Sequence, residues 1–291
     1  MHDPAHIAAM LLTDGYCIIP TLCASETIDA LNRDFDPQFE LTPFCDGDFY
    51  GARTRRFGAL LRRSTHARYL VQQALVTQIV DAVLGQWCDR IVLNLTQAVE
   101  IHPGALAQIA HRDQDLWGGP KGEIEYQVNV LWPLTRFTPQ NGATLLWPGS
   151  HRLDAPIDPV GEPIAAAVTP GSALLWLGSL LHGGGANVSE ETRRGVIVSY
   201  CLGWLRTFEN QYLVYPPDVA RTFDSALSAL VGYAQHRPNL GNVEGQCPSV
   251  LLRNDGIDGL AATDALRPDQ AEALAAYVAQ QEAARGGLIG G

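Results

Sequence analysis

Between Arg90 and Trp204 the chain is a succession of short apolar segments, rich in β-branched and aromatic residues and separated by turn residues. The connections TPQNG and TPGS place Pro, Asn and Gly where tight turns need them. Strands of this length and spacing are typical of a sandwich or small barrel. We predict a mainly β jelly roll with flanking helices, because this fold joins such strands without long crossover helices. The predicted strand segments are IVLNLTQAVEI, YQVNVLWPL, ATLLWPGS, IAAAV, SALLWLG and GVIVSYCLGWL.

The segments on either side of this region have helical patterns. Ser25 is predicted to cap ETIDALNRDF, and ARYLVQQALVTQIVDAVLG, from Ala67, has apolar residues at helical spacing before Gly85 ends it. After Trp204 the best helical candidates are ALSALVGYA and PDQAEALAAYVAQQEAA. No repeat or linker divides the 291 residues. We therefore expect a single domain, 1–291, with a β core at about 90–206 and helical N- and C-terminal flanks.

Charge and hydropathy exclude several classes of partner. With 20 Lys and Arg against 31 Asp and Glu, the net charge is -11, and no basic run is present to follow a phosphate backbone, so we expect no nucleic-acid partner. No apolar run is long enough to cross a bilayer, and the N-terminal residues lack the basic start of a secretory signal. We expect a cytoplasmic protein without a membrane partner. Its 6 scattered cysteines are interpreted as reduced packing residues.

Two possible metal ligands, His111 and Asp113, lie one residue apart in QIAHRDQDLW. On an extended strand this spacing directs both side chains to the same face, where an imidazole and a carboxylate can bind one ion. The pattern H-x-D is weak alone, because it also occurs by chance in surface or structural pairs. Asp115 would share the same strand face.

A third candidate, His182, follows an apolar strand and precedes three glycines, Gly183, Gly184 and Gly185. The missing side chains would let a ligand or metal complex approach the backbone closely. The structural alternative is a buried histidine beside a glycine-rich turn. Two histidines and one carboxylate leave one face of a metal open, which suits iron(II) enzymes that bind co-substrate and dioxygen side by side. Zinc sites more often close with four ligands.

Four segments resemble the phytanoyl-CoA dioxygenase family of iron(II)- and 2-oxoglutarate-dependent oxygenases, particularly its natural-product branch. They cover roughly residues 90–213, with weaker similarity through YGARTRRFGALL, and their order makes the match far more specific than H-x-D. The resemblance implies a cupin-like double-stranded β-helix. It also implies that His111, Asp113 and His182 bind the metal, with Asp113 preferred to Asp115. The segments are QIAHRDQDLW, NGATLLWPGSH, TPGSALLWLGSLLHGGGANVSEETRRG and GWLRTFENQYL.

The resemblance also places an arginine for the far carboxylate of 2-oxoglutarate, and this position is Arg193. Arginine suits the task because its planar guanidinium binds a carboxylate through two hydrogen bonds and stays charged when buried. Arg194 is the alternative. Strand alternation allows only one of the two side chains to point into the barrel.

Three further residues resemble positions that line the co-substrate in related enzymes: Gln108, Thr144 and Arg56. Gln108 and Thr144 can donate hydrogen bonds to carboxylate oxygens. Arg53 and Arg55 are alternatives to Arg56. Ordinary turn or packing roles are the structural alternative for all three.

As the resemblance implies, the chain would use Fe(II), 2-oxoglutarate and dioxygen to hydroxylate, desaturate or rearrange an unactivated C–H site, releasing succinate and CO2. Asp113 disfavours a halogenase, because related halogenases carry a small residue there. The absence of a basic cluster for coenzyme A phosphates favours a free, largely apolar metabolite, such as a terpenoid, alkaloid or amino-acid derivative. The aromatic residues expected near such a pocket are Trp117, Trp132, Trp204 and Phe208.

Two other functions stay open from the sequence. One is a jelly-roll hydrolase or isomerase that uses zinc or manganese at the same ligands. The other is a non-catalytic binding protein that keeps the fold, although an intact set of ligands and a nearby arginine argue against it. A homodimer is also open, since related enzymes are often dimers.

Overall fold

The computed structural model describes residues 3–120, 122–152, 161–253 and 259–289. Within these ranges, nine strands form two antiparallel sheets. The strands are β1 Tyr16–Ile19, β2 Thr54–Phe57, β3 Ile91–Ile101, β4 Gln127–Pro133, β5 Thr144–Leu146, β6 Ile164–Ala165, β7 Ala173–Leu177, β8 His182–Gly184 and β9 Arg193–Leu202.

The larger sheet has six strands in the order β1-β7-β4-β9-β3-β2, and the smaller sheet has three in the order β6-β5-β8. Neighbours in space are often distant in sequence, as for β3 and β9, which pair over most of their length. This arrangement of two antiparallel sheets with non-sequential neighbours is the jelly roll, so the predicted fold class is confirmed.

Helices cover the outer face of the larger sheet, and α5 packs against β3, β4 and β9. One hydrophobic cluster joins these helices to the outward-facing strand residues and extends from Ile7 to Tyr233. The helices are α1 Pro4–Asp14, α2 Ser25–Leu41, α3 Leu60–Arg63, α4 Thr65–Val71, α5 Ala74–Leu84, α6 Gln211–Val214, α7 Pro217–Ala220, α8 Ser225–Leu230 and α9 Pro268–Ile289.

Two helix predictions were wrong in detail. The single helix expected from Ala67 to Gly85 is two helices, because Gln73 caps the second one: its side-chain oxygen accepts from Val76 N at 2.9 Å. Ser25 does not cap α2. Ala24 occupies that position without a side-chain bond, and Ser25 is the first helical residue.

Two strands at opposite edges of the larger sheet, β1 and β2, have no counterpart among the predicted strands. The sequence of β2, TRRF, lacks the apolar run used to recognise the others. None of the described helices is long and apolar enough to span a membrane. All six cysteine thiols are free of disulfides.

Candidate active site

The backbone brings His111 next to His182. Each residue's N–H donates to the other's carbonyl oxygen at 2.9 Å, and Gln108 N donates to Gly184 O at 2.8 Å. Residues 108–111 therefore continue the smaller sheet beyond β8. Because residues paired in this way place their side chains on the same face, the two imidazole ring centres lie 4.5 Å apart.

Asp113 reaches this pair by a turn and not by the extended strand that its spacing predicted. Arg112 is extended (φ -114°, ψ 125°), and Asp113 then begins a 3-10 turn. The backbone N–H of Gln114 donates to Gly178 O at 2.9 Å and pulls the chain inward. The prediction of a shared strand face was therefore wrong in mechanism, although the side chains do converge. Asp115 lies in the same turn but outside the cluster of donor atoms.

The three side chains present their donor atoms to one another. Asp113 Oδ1 lies 3.5 Å from His111 Nε2, and Oδ2 lies 3.4 Å from His182 Nε2. One donor atom from each residue falls within 4.8 Å of the others, a separation at which a single cation can bind all three. The Nδ1 atoms of His111 and His182 each lie within 3.0 Å of a carbonyl oxygen two residues earlier, at Ile109 and Leu180 respectively. With Nδ1 donating a proton, each Nε2 lone pair is left for a metal.

The carboxyl group of Asp113 is held in its charged form. Burial alone would raise its pKa, but the neighbouring His182 and His111 outweigh burial and hold the pKa well below its usual range. The pKa of His182 is raised in turn, because the attraction of Asp113 exceeds the opposing effect of burial. The Asp113 carboxylate thus offers a negative charge to a cation at neutral pH.

Arg193 points into the barrel from the first residue of β9. It is 6% exposed, donates to Gly142 O and stacks 4.3 Å over the Phe137 ring. Burial and the nearby Arg56 guanidinium lower its pKa to about 9. Its Nε has no hydrogen-bond partner, and no carboxylate pairs with it, within the described ranges. An anion that enters the cavity would stabilise a buried guanidinium in this state.

Arg194 points the other way. Its guanidinium binds Glu100 at 2.9 Å and also pairs with Asp36, on the outer side of the larger sheet. Glu100 is only 3% exposed, so this pair is part of the packing between α2 and the sheet. Arg194 is not among the residues that line the cavity.

The three arginines at and just before β2, Arg53, Arg55 and Arg56, also differ in position. Arg56 lines the cavity and donates to Gln97 Oε1 at 3.0 Å. Arg55 lies 3.6 Å from Glu100, and Arg53 donates to Pro103 O. Of the three, the structure brings Arg56 to the cavity.

Gln108 and Thr144 also line the cavity. The Gln108 amide joins two segments of the wall, because Nε2 donates to Phe49 O at 3.0 Å and Oε1 accepts from Gly184 N at 3.2 Å. Thr144 lies opposite Gly184 in the pairing of β5 with β8. Each polar side chain therefore sits beside the glycine segment that follows His182.

A sequence model described as Phytanoyl-CoA dioxygenase (PhyH) matches residues 11–195, more than half of the chain. The chain belongs to the phytanoyl-CoA dioxygenase family. The resemblance inferred from the four segments is therefore confirmed, and the chain is a dioxygenase.

Two curated relatives of this dioxygenase are fungal proteins. It is 29% identical over 248 residues to "Dioxygenase trt7" of Aspergillus terreus (strain NIH 2624 / FGSC A1156), with 79% of this chain and 84% of the relative covered. It is 32% identical over 213 residues to "Dioxygenase FrzG" of Cladobotryum sp, with 67% and 69% covered.

Solved structures share the fold at lower identity. The non-heme alpha ketoglutarate dependent epimerase SnoN from nogalamycin biosynthesis aligns with a TM-score of 0.59 at 16% identity, covering 69% of this chain and 84% of SnoN. HygX from Streptomyces hygroscopicus, with nickel, 2-oxoglutarate and hygromycin B bound, aligns with a TM-score of 0.56 at 18% identity, covering 69% and 88%.

The glycine segment of the dioxygenase has two functions. Gly183 and Gly184 line the cavity, as their lack of side chains led us to expect. A Cβ at Gly185 would instead lie 2.7 Å from the backbone oxygen of Ala143. The third glycine is therefore required by the contact between two backbone segments.

The cavity of the dioxygenase has a volume of about 380 Å³ and a mostly apolar wall. Of the four aromatic residues predicted to border it, Phe208 does so, but Trp132 faces the core and is fully buried. Trp117 and Trp204 both pack against Tyr126, with ring centres 6.3 Å away. The aromatic residues that sequence reasoning missed are Phe49, Tyr50, Phe137 and Trp176.

Among the polar wall residues that were missed, Gln127 and Asn129 lie on β4. Asn129 Nδ2 donates to Asp113 Oδ2 at 2.9 Å. Their signal was present in QVNVLWP, where two amide side chains alternate with apolar residues within a strand that is buried throughout. Polar residues at every second position of such a strand indicate an inner face with a polar task.

Proposed function

We propose that this dioxygenase depends on Fe(II) and 2-oxoglutarate, and that it oxidises an unactivated C–H site of a small, largely apolar metabolite. The observation that carries the proposal is the convergence of His111, Asp113 and His182 in the same cavity as the unpaired guanidinium of Arg193. HygX, which shares the fold, binds nickel and 2-oxoglutarate, and this supports the same ligand class here.

The donor set fits iron. Two neutral imidazole nitrogens and one carboxylate supply three ligands, and within the described residues no fourth His, Cys, Asp or Glu joins the cluster. A site of this kind keeps positions for exchangeable ligands, whereas structural zinc sites close with four protein ligands.

The arginine fits the far carboxylate of 2-oxoglutarate. A guanidinium buried against Phe137, with an unpartnered Nε, is stabilised by an anion that enters the cavity. Arg56 lines the same cavity and adds a second positive charge. Gln108 and Thr144 lie at the wall and can donate to further oxygens of the same molecule.

When bound, the iron and co-substrate would supply the oxidation chemistry, in which decarboxylation of 2-oxoglutarate to succinate activates dioxygen. The protein's own residues orient the metal-binding side chains and shield the substrate from water. Asn129 holds one oxygen of the Asp113 carboxylate in place, and apolar residues exclude water from the substrate side. The apolar lining residues are Leu95, Val99, Ile101, Leu131 and Ile197.

The test is His182→Ala, assayed for succinate release from 2-oxoglutarate under air with added Fe(II). We expect iron-dependent turnover to fall at least about 100-fold, because only two ligands remain. The matched control is His66→Ala, since His66 lies on α4, bound to Asp34, and does not line the cavity. Circular dichroism should report folded protein for both variants. Turnover that survives His182→Ala, or wild-type activity that needs neither 2-oxoglutarate nor dioxygen, would reject the proposal.

A further inference from the structure

A network of side-chain hydrogen bonds runs along β4, from the carboxylate of Asp113 into the cavity wall. Asn129 Nδ2 donates to Asp113 Oδ2 at 2.9 Å. Gln127 Nε2 donates to Asn129 Oδ1 at 2.7 Å and to Ser199 Oγ at 2.8 Å. Every donor–acceptor separation in this network is short enough for a well-formed hydrogen bond.

Asp113 fixes the orientation of the other side chains in this hydrogen-bond network. An ionised carboxylate offers only acceptors, so Asn129 must turn its amide nitrogen towards Asp113 and its oxygen towards Gln127. Gln127 must then present its nitrogen. Both hydrogens of that nitrogen are used, one by Asn129 and one by Ser199. The remaining atom of the amide, Oε1, is an acceptor.

Gln127 Oε1 has no hydrogen-bond partner among the residues that the structure describes. The residue is 1% exposed and lines the same cavity as His111, Asp113 and His182. A buried acceptor without a donor is unfavourable, and it is stabilised when a ligand supplies the missing proton. The other residues that line this cavity and carry an unpartnered buried polar atom are Arg56, Trp176 and Arg193, and the atoms concerned, Nε, Nε1 and Nε, are all donors.

We propose that Gln127 Oε1 is the polar anchor for the substrate and accepts a hydrogen bond from a hydroxyl or N–H group on an otherwise apolar molecule. This inference rests on the proposed function and deepens it. The cavity then separates its two ligands by polarity: Arg56 and Arg193 attract the carboxylates of the co-substrate, whereas the lone acceptor of Gln127 repels them. A molecule without such a donor would leave Gln127 Oε1 unpaired, so the cavity would bind it more weakly than a similar molecule that carries the donor.

A matched pair of small probes tests this polarity. Indole carries one N–H donor, and 1-methylindole has a methyl group in its place; neither has a group that binds iron well. We would titrate both by calorimetry, under nitrogen, into protein loaded with Fe(II) and 2-oxoglutarate, and into metal-free protein. We expect wild-type protein to bind indole about tenfold more tightly than 1-methylindole.

The variant Gln127→Met should reduce that preference to within about twofold, because methionine keeps the length of the side chain and removes the acceptor. The matched control is Ser199→Ala, which removes a neighbour of Gln127 Nε2, leaves Oε1 in place and should keep the preference. Wild-type protein without a preference, including protein that binds neither probe, would overturn the inference, as would a preference that survives Gln127→Met.

A second measurement covers the case in which Gln127→Met does not fold. In wild-type crystals soaked with indole, we expect the indole nitrogen within hydrogen-bond distance of Gln127 Oε1, and indole bound with its N–H elsewhere would contradict the inference. The metal-free titration separates the two proposals. If the protein binds neither Fe(II) nor 2-oxoglutarate, the proposed function fails, while the preference for indole still reports on Gln127.

Discussion

Arg193 and Arg194 are neighbours on β9 with opposite environments. One guanidinium lies inside the barrel without an acidic partner among the described residues, and the other lies outside between Glu100 and Asp36. Strand alternation creates the difference, since consecutive side chains leave opposite faces of a sheet. The same kind of residue can therefore serve ligand binding at one position and packing at the next.

Substitution of each arginine by glutamine should separate these roles. Arg193→Gln should raise the 2-oxoglutarate concentration needed for half-maximal turnover at least about tenfold, because a charge-assisted pair is lost. Arg194→Gln should leave that concentration unchanged and lower the free energy of unfolding by about 2 kcal/mol, because it leaves Glu100 with weaker partners. Succinate assays and urea denaturation measure the two effects. The reverse result would transfer the co-substrate role to Arg194.

Glu125 supplies a pH-dependent prediction. Burial, opposed in part by hydrogen bonds from Ser179, raises its pKa to about 7. A carboxyl group whose pKa is raised on folding contributes stability that is fully present when the pH is below its ordinary pKa of 4.5. This contribution is lost as the pH rises through 7, the pKa in the folded protein. The change in the free energy of unfolding caused by Glu125→Gln should therefore be more favourable at pH 8 than at pH 5 by roughly 1–2 kcal/mol. Urea denaturation at the two pH values measures this difference.

The control for this measurement is Glu123→Gln, in an exposed position of the same segment. Its effect on the free energy of unfolding should be small and similar at both pH values. An equal response of the two variants to pH would show that Glu125 is not destabilised by its surroundings.

At this scale the sequence predicted which side chains converge at the cavity better than it predicted the rest of the wall. The segments around His111, Asp113, His182 and Arg193 carry the family pattern, which is local in sequence. The roles of Gln127 and Trp176 depend on which face of a strand points inward, and this is set by pairing between distant strands.

At the scale of elements, the smaller sheet determines the geometry of the site. The pairing of residues 108–111 with β8 places His111 opposite His182, and β5 pairs with the other edge of β8. The glycines of β8 and of the residue after it allow these three segments to approach closely. Backbone contact, and not ligand access alone, thus explains part of the glycine run.

Gly185→Ala and Gly184→Ala should differ in stability. The added Cβ at Gly185 would lie 2.7 Å from Ala143 O, and backbone atoms must move to admit it, so we expect a loss of roughly 2 kcal/mol. At Gly184 the nearest atom is 3.5 Å away, in the side chain of Gln108, so the loss should stay below about 1 kcal/mol. Thermal unfolding of both variants tests this difference. Equal stabilities would remove the steric role assigned to Gly185.

Elements with strong local patterns were predicted, and those without them were not. The central strands β3, β4, β7 and β9 are long apolar runs that match predicted segments. The break between α4 and α5 was missed because apolar spacing continues across it, while the cap formed by Gln73 depends on one side-chain hydrogen bond. The edge strand β2 was missed because two arginines interrupt its apolar pattern.

At the scale of the whole molecule, the hydrophobic core and helix α9 contribute differently to the stability of the fold. The hydrophobic cluster from Ile7 to Tyr233 links both flanks to the barrel. In contrast, the described side chains of α9 are almost all exposed, including Leu274 at 41% and Tyr277 at 58%. We propose that the chain is one domain whose stability does not depend on α9.

Removal of residues 268–291 tests that proposal. The truncated protein should unfold in a single calorimetric transition, with a melting temperature within about 2 °C of the full chain, because few buried contacts are lost. Two transitions in the full-length protein would contradict a single domain. A fall of about 10 °C on truncation would instead show that α9 is part of the stabilising structure.

The bridge between His111 and His182 has a consequence for how such a protein can evolve. The spacing of the two imidazoles is set by main-chain hydrogen bonds at the edge of one sheet, while the apolar lining residues on β3, β4 and β9 belong to the other sheet. Mutations in β3, β4 and β9 can reshape the chamber without displacing these two histidines. The shape of the chamber can therefore change at apolar positions of these strands while the backbone that spaces the two histidines stays the same, provided that Asn129 on β4 and Arg193 on β9 are kept.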